Sequence, residues 1–144
     1  MISTKGRYAL LVMIDLAQYS SGEYIALKDI SARQEISVKD LEQVISLLNR
    51  AGFLQSMRGN NGGYRLAKRP SDITAGDILR AAEGSLAPVA GLDSEPLMGD
   101  RDPSYVTHDF WVGYDKVINE YVDSISLQQL VDHARVLAGN DFVI

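Results

Sequence analysis

The strongest periodic pattern of hydrophobic and polar positions lies between Ser37 and Arg50. At about 100° per residue, four apolar side chains fall on one face of a helix: Leu41, Val44, Ile45 and Leu48. The opposite face carries a compact polar stripe of Lys39, Glu42, Gln43, Ser46 and Arg50. The pattern predicts a helix that buries one side in a core and presents polar groups on the other.

The ends of this helix carry clear signals. Ser37 can cap the first turn, and Asp40 lies where the helix dipole favours a carboxylate. Gly52 ends the helix, and two short β-type runs follow at residues 53–57 and 64–66. A loop that can reverse the chain separates them, and it contains Gly59, Asn60, Asn61, Gly62 and Gly63. The sequence therefore predicts a β-hairpin directly after the helix.

A shorter helix is predicted just before the strong one. Residues 27–34 place Leu27 and Ile30 inward, and a break at residues 35–37 leads into the next helix. A short helix, a tight turn and a longer helix form the helix-turn-helix pattern, and a hairpin after it makes the pattern that of a winged helix-turn-helix. We therefore predict a mostly α fold with a small β-hairpin wing, in which the helix over residues 37–50 reads DNA.

The first helix of the chain is also predicted from its pattern. Ser3 or Thr4 can cap a helix through residues 8–17 that is apolar almost all round, so it should be buried on more than one side. Lys5 and Arg7 at its start oppose the helix dipole. Their position suggests an external anion nearby, such as a phosphate, although a solvated charge is the simpler interpretation.

The middle of the chain changes character after a fourth helix. Residues 74–77 resemble a capping box, which opens a helix that ends at Gly84. Residues 85–106 then lose periodicity and carry several prolines and glycines, as functional or disordered loops do. Thr107 can cap a long helix over residues 108–124.

That long helix carries a large aromatic and apolar stripe. With Trp111 beside it, the stripe is made of Phe110, Tyr114, Val117, Ile118, Tyr121 and Ile125. It is too large for a small winged domain with its own apolar faces, so we expect it to pack against a second copy. A capping box at residues 126–129 opens a final helix. We expect a winged-helix domain over residues 1–84, a loop over 85–106, and a dimerisation helix with a C-terminal helix and tail over 107–144.

The charge of the chain is distributed unevenly. The net charge is −5. Residues 1–84 hold 11 Lys and Arg against 9 Asp and Glu, a net of +2, whereas residues 85–144 hold 3 against 10, a net of −7. The N-terminal part permits contact with phosphate without demanding it, so the prediction of DNA binding depends on the motif.

The composition argues against several other classes of protein. The chain has no cysteine, which removes disulfides, thiolate nucleophiles and cysteine-ligated clusters as it stands. An enzyme is not expected, because there are only two histidines and no glycine-rich strand-to-helix turn that cradles phosphate. No apolar run approaches the roughly 20 residues of a membrane span. Residues 1–7 carry no secretory signal, so we expect a cytoplasmic protein with no membrane partner.

Several short motifs together resemble one known family. They are residues 3–9, Leu41-Glu-Gln43, Arg58-Gly59 with Gly62-Gly-Tyr64, and residues 73–78. With these motifs the chain resembles, over nearly its whole length, the iron–sulfur cluster regulator family of bacterial winged-helix transcription factors (IscR/CymR/NsrR-type). The resemblance implies a homodimer, joined through the long helix, that binds a palindromic operator in double-stranded DNA. It also implies a repressor of genes for iron–sulfur cluster assembly or for cysteine and sulfur metabolism.

The resemblance further implies that the helix bearing Glu42 lies in the major groove and that the wing reaches the adjacent minor groove. Gln43 can pair with adenine, Glu42 can accept from a cytosine amino group, and Lys39 offers a charge to phosphate or guanine. Arg58 can enter a narrow minor groove, because glycine beside it lets the backbone approach closely. The candidate DNA-binding residues are Lys5, Ser37, Lys39, Asp40, Glu42, Gln43, Arg58 and Gly59. The simpler alternative for Glu42 and Gln43 is a solvated helix face, and Tyr64 is expected to pack beneath the wing.

The resemblance also implies where relatives bind a cofactor. Cluster-binding relatives hold a two-iron two-sulfur cluster with three cysteines before the long helix, and some add a histidine. The family's spacing lands here on Gly91, Gly99 and Tyr105, with His108 retained. None of those three positions offers a ligand for a soft iron–sulfur centre, and a lone histidine is more often a cap or a surface residue. We therefore expect no cofactor and no metal in this chain.

Two explanations for the missing cysteines stay open. The chain is either a naturally cluster-free member that senses through a partner enzyme, or a cluster-binding protein whose cysteines have been lost or replaced. The tail at residues 142–144 and the helix at residues 75–78 favour the first, and the near-fit of the ligand positions favours the second. A separate alternative is a protein-interaction module, whose acidic C-terminal part and loop 85–106 dock a sulfur-metabolism enzyme while DNA binding stays secondary.

Overall fold

The computed structural model describes residues 1–92 and 103–140 of the chain. Its elements are α1 (Thr4–Tyr19), α2 (Leu27–Gln34), α3 (Val38–Arg50), β1 (Leu54–Met57), β2 (Gly63–Leu66), a 3-10 turn (Pro70–Asp72), α4 (Ala75–Glu83), α5 (Pro103–Asp123) and α6 (Leu127–Asn140). A mostly α fold with one β-hairpin confirms the predicted fold class. Each helix in this part of the chain is too short or too polar to span a bilayer.

Helix α1 lies at the centre of the hydrophobic core. It contacts α2, α3, α4, α6 and β2, which explains why its sequence is apolar on more than one side. Ala9, Val12 and Leu16 are fully buried along it. Helix α6 adds Leu127 and Val131 to the same core, so the C-terminal helix is packed onto the N-terminal part of the chain.

Helices α2 and α3 form the helix-turn-helix. Glu35 ends α2 in the left-handed region, at φ 54°, and this turns the chain toward α3. The Ser37 hydroxyl then accepts a hydrogen bond from the Asp40 N–H at 3.1 Å, which confirms the predicted cap. Such a cap stabilises a helix by about 1 kcal/mol. The start of α3 is therefore fixed by its own sequence.

The wing differs slightly from the predicted hairpin. Strands β1 and β2 are antiparallel, with Met57 opposite Gly63. Phe53 is outside the first strand, and its N–H donates back to the Leu48 carbonyl near the end of α3. Ile25 pairs with Tyr64 through two backbone hydrogen bonds of 2.8 Å, so one residue before α2 extends the sheet.

Helix α5 begins earlier than predicted. The predicted start at His108 with Thr107 as its cap is wrong, because the helix begins at Pro103 and Thr107 lies inside it. A proline suits the first turn of a helix, where its fixed φ is already helical and its missing N–H has no intrahelical partner to lose. The irregular segment predicted over residues 85–106 therefore ends before α5.

Both predicted capping boxes are present. Thr74 accepts from the Asp77 N–H at 3.0 Å and donates its own N–H to the Asp77 carboxylate at 2.9 Å. Ser126 and Gln129 make the same reciprocal pair, at 3.1 and 2.7 Å. These boxes satisfy N–H groups that the first turns of α4 and α6 would otherwise leave without a partner.

Candidate nucleic-acid interface

Helix α3 presents its polar stripe on a rigid support. Leu41, Val44, Ile45 and Leu48 are all buried in the core, so the rotation of the helix about its own axis is set by packing. The opposite side chains are exposed. We call Lys39, Glu42, Gln43 and Ser46 the α3 stripe. Because its backbone is held from behind, the stripe can meet a partner without prior rearrangement.

The polar groups of the α3 stripe are not used inside the protein. Within residues 1–92 and 103–140, no hydrogen bond or ion pair engages the side chains of Lys39, Glu42 or Gln43. An amide, a carboxylate and an ammonium are thus available together on one helix face. This is the set of donors and acceptors that base edges and phosphates recognise.

The start of α1 lies beside this stripe. Lys5 lines one shallow depression together with Lys39, Glu42, Gln43, Ser46 and Leu47. A second depression joins it to Ser3, Thr4, Tyr8, Asp40, Gln43 and Val44. Five of the predicted DNA-binding residues therefore share one surface: Lys5, Lys39, Asp40, Glu42 and Gln43. Ser37 is exposed at the same end of α3, where its hydroxyl is engaged as the cap.

The anion at the start of α1 comes from the protein itself. The Glu83 carboxylate accepts hydrogen bonds from the Ser3 N–H at 2.8 Å, the Ser3 hydroxyl at 2.6 Å and the Gly6 N–H at 2.9 Å. Burial raises the pKa of Glu83, but the hydrogen bonds from Ser3 and Gly6 and the charge of Lys5 lower it more, so the pKa lies below its ordinary value. The Glu83 carboxylate therefore places one negative group from the protein itself at the start of α1, where the helix dipole favours it.

The wing places Arg58 and Gly59 at its tip, away from the body of α3. Both residues are exposed, and Gly59 has φ 111°, a conformation that glycine adopts without strain. Arg58 makes no hydrogen bond or ion pair with any described residue. The base of the wing, in contrast, is held by Arg65, which donates to Gln55 and Gly22 at 2.9 and 2.8 Å. The base of the hairpin is therefore held by hydrogen bonds, while the Arg58 side chain at its tip has no such partner among the described residues.

Tyr64 is half-buried in β2 and packs against the core cluster. The expectation that it lies beneath the wing is confirmed. It therefore supports the hairpin that carries Arg58, and its ring is not part of the exposed tip.

Sequence reasoning missed a buried ion pair that supports the helix-turn-helix. Asp15 in α1 is fully buried and accepts from Arg33 Nε and Nη2, at 2.9 and 2.8 Å, and from Gln34 Nε2 at 2.9 Å. The hydrogen bond to Asp15 raises the pKa of Arg33, whose guanidinium also lies 4.4 Å from the centre of the Tyr19 ring. The only signal in the sequence was one aspartate within an apolar helix. The pair ties the end of α2 to α1.

Two of the three positions that match the cluster ligands of relatives lie among the described residues, and neither offers a ligand for an iron–sulfur cluster. Gly91 has φ 76° and no side chain, and Tyr105 is an exposed phenol on α5 one turn before the half-buried His108. Gly99 lies outside the described residues, as does the tail at 142–144. Among the described residues, no three His, Cys, Asp or Glu side chains come together as metal ligands would. A soft iron–sulfur centre does not fit these oxygen and nitrogen donors.

The segment before α5 borders a polar cavity instead. Residues 85–92 line a space of about 660 Å³ together with Arg80, Asp115 and Asn119. Arg80 belongs to α4 and the other two to α5, so this segment touches the junction of those two helices.

Helix α5 carries a second kind of exposed surface. Within its stripe, Trp111, Ile118 and Ile125 are half-buried. The remaining members point outward, and we call them the exposed face of α5: Phe110, Tyr114, Val117 and Tyr121. The rings of Phe110 and Tyr114 both contact Trp111, at centroid distances of 5.0 and 5.6 Å. Isolated apolar residues on a surface are ordinary, but a contiguous aromatic patch marks an interaction site.

Comparison with known proteins gives concordant matches. Residues 2–133 match the model of the Rrf2 family, described as iron-dependent transcriptional regulators. The chain is 39% identical to the HTH-type transcriptional regulator CymR of Bacillus subtilis over 132 residues, which cover 92% of this chain and 90% of the relative. It is 35% identical over 144 residues to the regulator IscR of Vibrio atlanticus, covering 97% of this chain and 80% of the relative.

Solved structures agree. The structure of CymR, called the global cysteine regulator of B. subtilis, superimposes with a TM-score of 0.76 at 38% identity, covering 92% of this chain and 97% of that one. The structure of IscR from T. potens superimposes with a TM-score of 0.73 at 40% identity, covering 93% of this chain and 88% of that one. These matches confirm the resemblance that the motifs indicated.

Proposed function

The chain belongs to the Rrf2 family of transcriptional regulators, and from that premise we propose that it is a homodimeric repressor that binds a palindromic DNA operator in the cytoplasm. The observation that carries this proposal is the α3 stripe, whose Lys39, Glu42 and Gln43 are exposed, rigidly supported and, among the described residues, without a hydrogen-bond or ion-pair partner. Residues 1–84 would form the DNA-binding unit, and the α5 region would join the two copies.

The polar groups define what each element would read. The α3 stripe would lie in the major groove, where Gln43 pairs with adenine, Glu42 accepts from cytosine and Lys39 contacts phosphate or guanine. Arg58 with Gly59 would enter the neighbouring minor groove at the tip of the wing. Lys5, Ser37 and Asp40 would flank these contacts, since they surround the start of α3. Two copies related by a two-fold axis would read half-sites about one helical turn apart.

The regulated genes are inferred from the relatives. CymR of B. subtilis is described as a global cysteine regulator, so genes of cysteine and sulfur metabolism are our first candidates, with iron–sulfur cluster assembly second. The signal is proposed to be a partner rather than a resident cluster, because the chain has no cysteine and the positions that match the family's ligands do not fit one. A sulfur-metabolism enzyme that docks on the acidic C-terminal part would be such a partner.

A selection from a random DNA library tests the function. The purified protein should enrich a palindromic sequence, bind it in a gel shift at moderate salt, and lose affinity steeply as salt rises because phosphate contacts release counterions. If the protein alone enriches nothing but gains operator binding with an added enzyme, the protein-interaction alternative is correct. An iron assay on anaerobically purified protein tests for a cluster, and stoichiometric iron would contradict the cluster-free assignment.

A further inference from the structure

Helix α5 is attached to the winged-helix body at its C-terminal end. The Ala75 N–H donates to the Ile125 carbonyl, and the Leu127 N–H donates to the Ile73 carbonyl, both at 2.8 Å. Thr74 and Ser126 form an antiparallel bridge between them. These backbone bonds fix the position of the α5–α6 link on the start of α4. They do not by themselves fix the direction in which α5 leaves that point.

One arginine of α4 joins two successive turns of α5 to the body. Arg80 donates from Nη1 and Nη2 to the two carboxylate oxygens of Asp123, both at 2.8 Å, and from Nη2 to the Asn119 side-chain oxygen at 2.6 Å. Asn119 and Asp123 are four residues apart on α5, so their backbones are separated by about 6 Å along the helix axis, while both side chains meet the same guanidinium. A contact with two successive turns constrains the tilt of a helix as well as its position. We call Arg80, Asn119 and Asp123 the Arg80 clamp.

The chemistry of the Arg80 clamp favours one geometry. A planar guanidinium meets a carboxylate in a two-pronged arrangement that a lysine cannot reproduce. The hydrogen bond from Arg80 lowers the pKa of Asp123, so the carboxylate stays charged over a wide range of pH. Asn119 is itself held, because its Nδ2 donates to the carbonyl and carboxylate of Asp115 at 2.8 and 3.1 Å.

Gly76 allows the two helices to approach closely enough for this contact. A Cβ at this position would overlap Asp123 Oδ1 and would lie 2.9 Å from Arg80 Nη1 and 3.0 Å from Val122 Cγ2. Asp123 cannot move aside without leaving Arg80. A methyl group at Gly76 is therefore a second, independent way to open the clamp.

We propose that the Arg80 clamp sets the direction of α5 relative to α3, and thereby the spacing of the two DNA half-sites that the dimer accepts. This inference rests on the proposed function. From Asn119 to Tyr105 the helix extends about 21 Å beyond the clamp. A change of roughly 10° in its direction moves the far end by about 4 Å, close to the rise of one base pair, which is about 3.4 Å.

A clamp that only stabilises the fold would change the free energy of unfolding when it is opened, whereas a clamp that positions α5 would change the direction of that helix in a folded protein. Arg80 and Asp123 are partly exposed, and exposed ion pairs contribute little to stability, so the clamp can be opened in a folded protein. A matched control lies on the same helix, where Lys116 pairs with Glu120 at 3.8 Å and both side chains are largely exposed. Lys116→Ala removes an ion pair from α5 and leaves its direction unchanged.

The first experiment measures geometry without DNA. The chain has no cysteine, so Lys28→Cys, at an exposed position of α2, places one spin label on each protomer. The distance between the labels in the dimer depends on the direction of α5 in both copies. The parent and Lys116→Ala should give the same narrow distance distribution, and Arg80→Ala and Gly76→Ala should give broader or displaced ones. Identical distributions in folded dimers of all four proteins would overturn the proposal.

The second experiment measures half-site spacing. An operator selected with the parent protein is rebuilt with its two halves one or two base pairs closer or further apart. The parent should lose about tenfold in affinity at each wrong spacing, because protein or DNA must deform. At the same wrong spacings, Arg80→Ala should lose less than about threefold in affinity, and it should bind a single half-site with the affinity of the parent. If Arg80→Ala does not fold, Asp123→Asn replaces it as the variant that opens the clamp. A folded variant with the spacing preference of the parent would contradict the proposal.

The two experiments separate this inference from the proposed function. Failure to select any operator counts against DNA recognition by this protein, whereas the label distances still decide whether the Arg80 clamp positions α5. A clamp variant that keeps a narrow, parental distance and parental spacing preference counts against the clamp alone.

Discussion

The molecule has two exposed surfaces of opposite character, and they pose different physical problems. The α3 stripe is polar and stays hydrated at no cost until a partner replaces the water. The exposed face of α5 is apolar, with Phe110, Val117 and Tyr121 each more than half exposed, at 61%, 65% and 66%. Apolar area in water is unfavourable by roughly 25 cal/mol per Å². A polar surface is stable in water without a ligand, whereas an exposed aromatic surface is stabilised when another surface packs against it.

The two surfaces also differ in how they are supported. Helix α3 is fixed along its length by four buried side chains. Helix α5 meets the body through the backbone bridge at Ser126, the Arg80 clamp and the half-buried side chains of Trp111 and Ile118, while its opposite face stays exposed. The position of the α3 stripe is therefore fixed within a subunit, and in the dimer that we propose the relation between two stripes would depend on α5.

The largest effect is expected from charging the exposed face of α5. Phe110→Glu combined with Tyr121→Glu should leave a folded monomer in sedimentation velocity, because two carboxylates would be desolvated at the interface. Operator affinity should fall by about a hundredfold or more, since linked sites lose their effective concentration. Glu120→Ala, at an exposed position of the same helix, is the control and should remain dimeric. If the double variant sediments as the parent does, this face is not the dimer interface.

Arg58 tests the wing. Arg58→Ala should weaken operator binding by roughly tenfold, the lower part of the range for one base-reading contact, and should relax discrimination in the A/T-rich part of the site. A gel-shift titration at fixed salt measures both. Arg69→Ala is the matched control, because Arg69 is an exposed arginine outside the hairpin that pairs with Asp72. Equal affinity of the Arg58 variant and the parent would remove the wing from the interface.

Glu42 tests selectivity on the α3 stripe. Glu42→Ala should change affinity for the parental operator by only a few fold, because a carboxylate also repels phosphate, while it broadens the set of accepted operators. Library selection with both proteins provides the comparison. An unchanged consensus would show that Glu42 is a solvated residue of the helix face.

Glu83 is expected to give the smallest effect, on stability rather than recognition. Its folded-state pKa is lowered, so its hydrogen bonds contribute stability above the pKa of the unfolded chain, and this contribution is lost as pH falls through the folded-state pKa. Glu83→Gln should destabilise the protein by about 1 kcal/mol at neutral pH. The difference should shrink in acid, as measured by urea unfolding across pH. A difference that does not depend on pH would contradict this account.

The sequence predicted what depends on local pattern. Periodicity located α3, and Ser37, Thr74 and Ser126 marked three helix starts that the structure confirms. The resemblance to a family supplied the functional class, which the relatives confirm. Each of these signals is contained within a few consecutive residues.

Contacts between distant residues were not predictable in the same way. Asp15 and Arg33, Ser3 and Glu83, and Arg80 and Asp123 are 18, 80 and 43 positions apart. Asp15 within an apolar helix was a local signal, but no local pattern identifies the distant partner of any of these side chains. The early start of α5 is not predictable from local pattern either, because Pro103 continues the series of prolines and glycines that indicates an irregular segment.

The most direct test of DNA reading by α3 uses the absence of native cysteines. A DNA-cleaving iron chelate attached through Ser46→Cys, on the α3 stripe, is incubated with the selected operator, and the same reagent attached through Lys28→Cys serves as the control. We predict cleavage from residue 46 at two positions about one helical turn apart and symmetric about the operator centre. Strong cleavage from residue 28 with none from residue 46 would contradict the account, because another face of the protein would then contact the duplex.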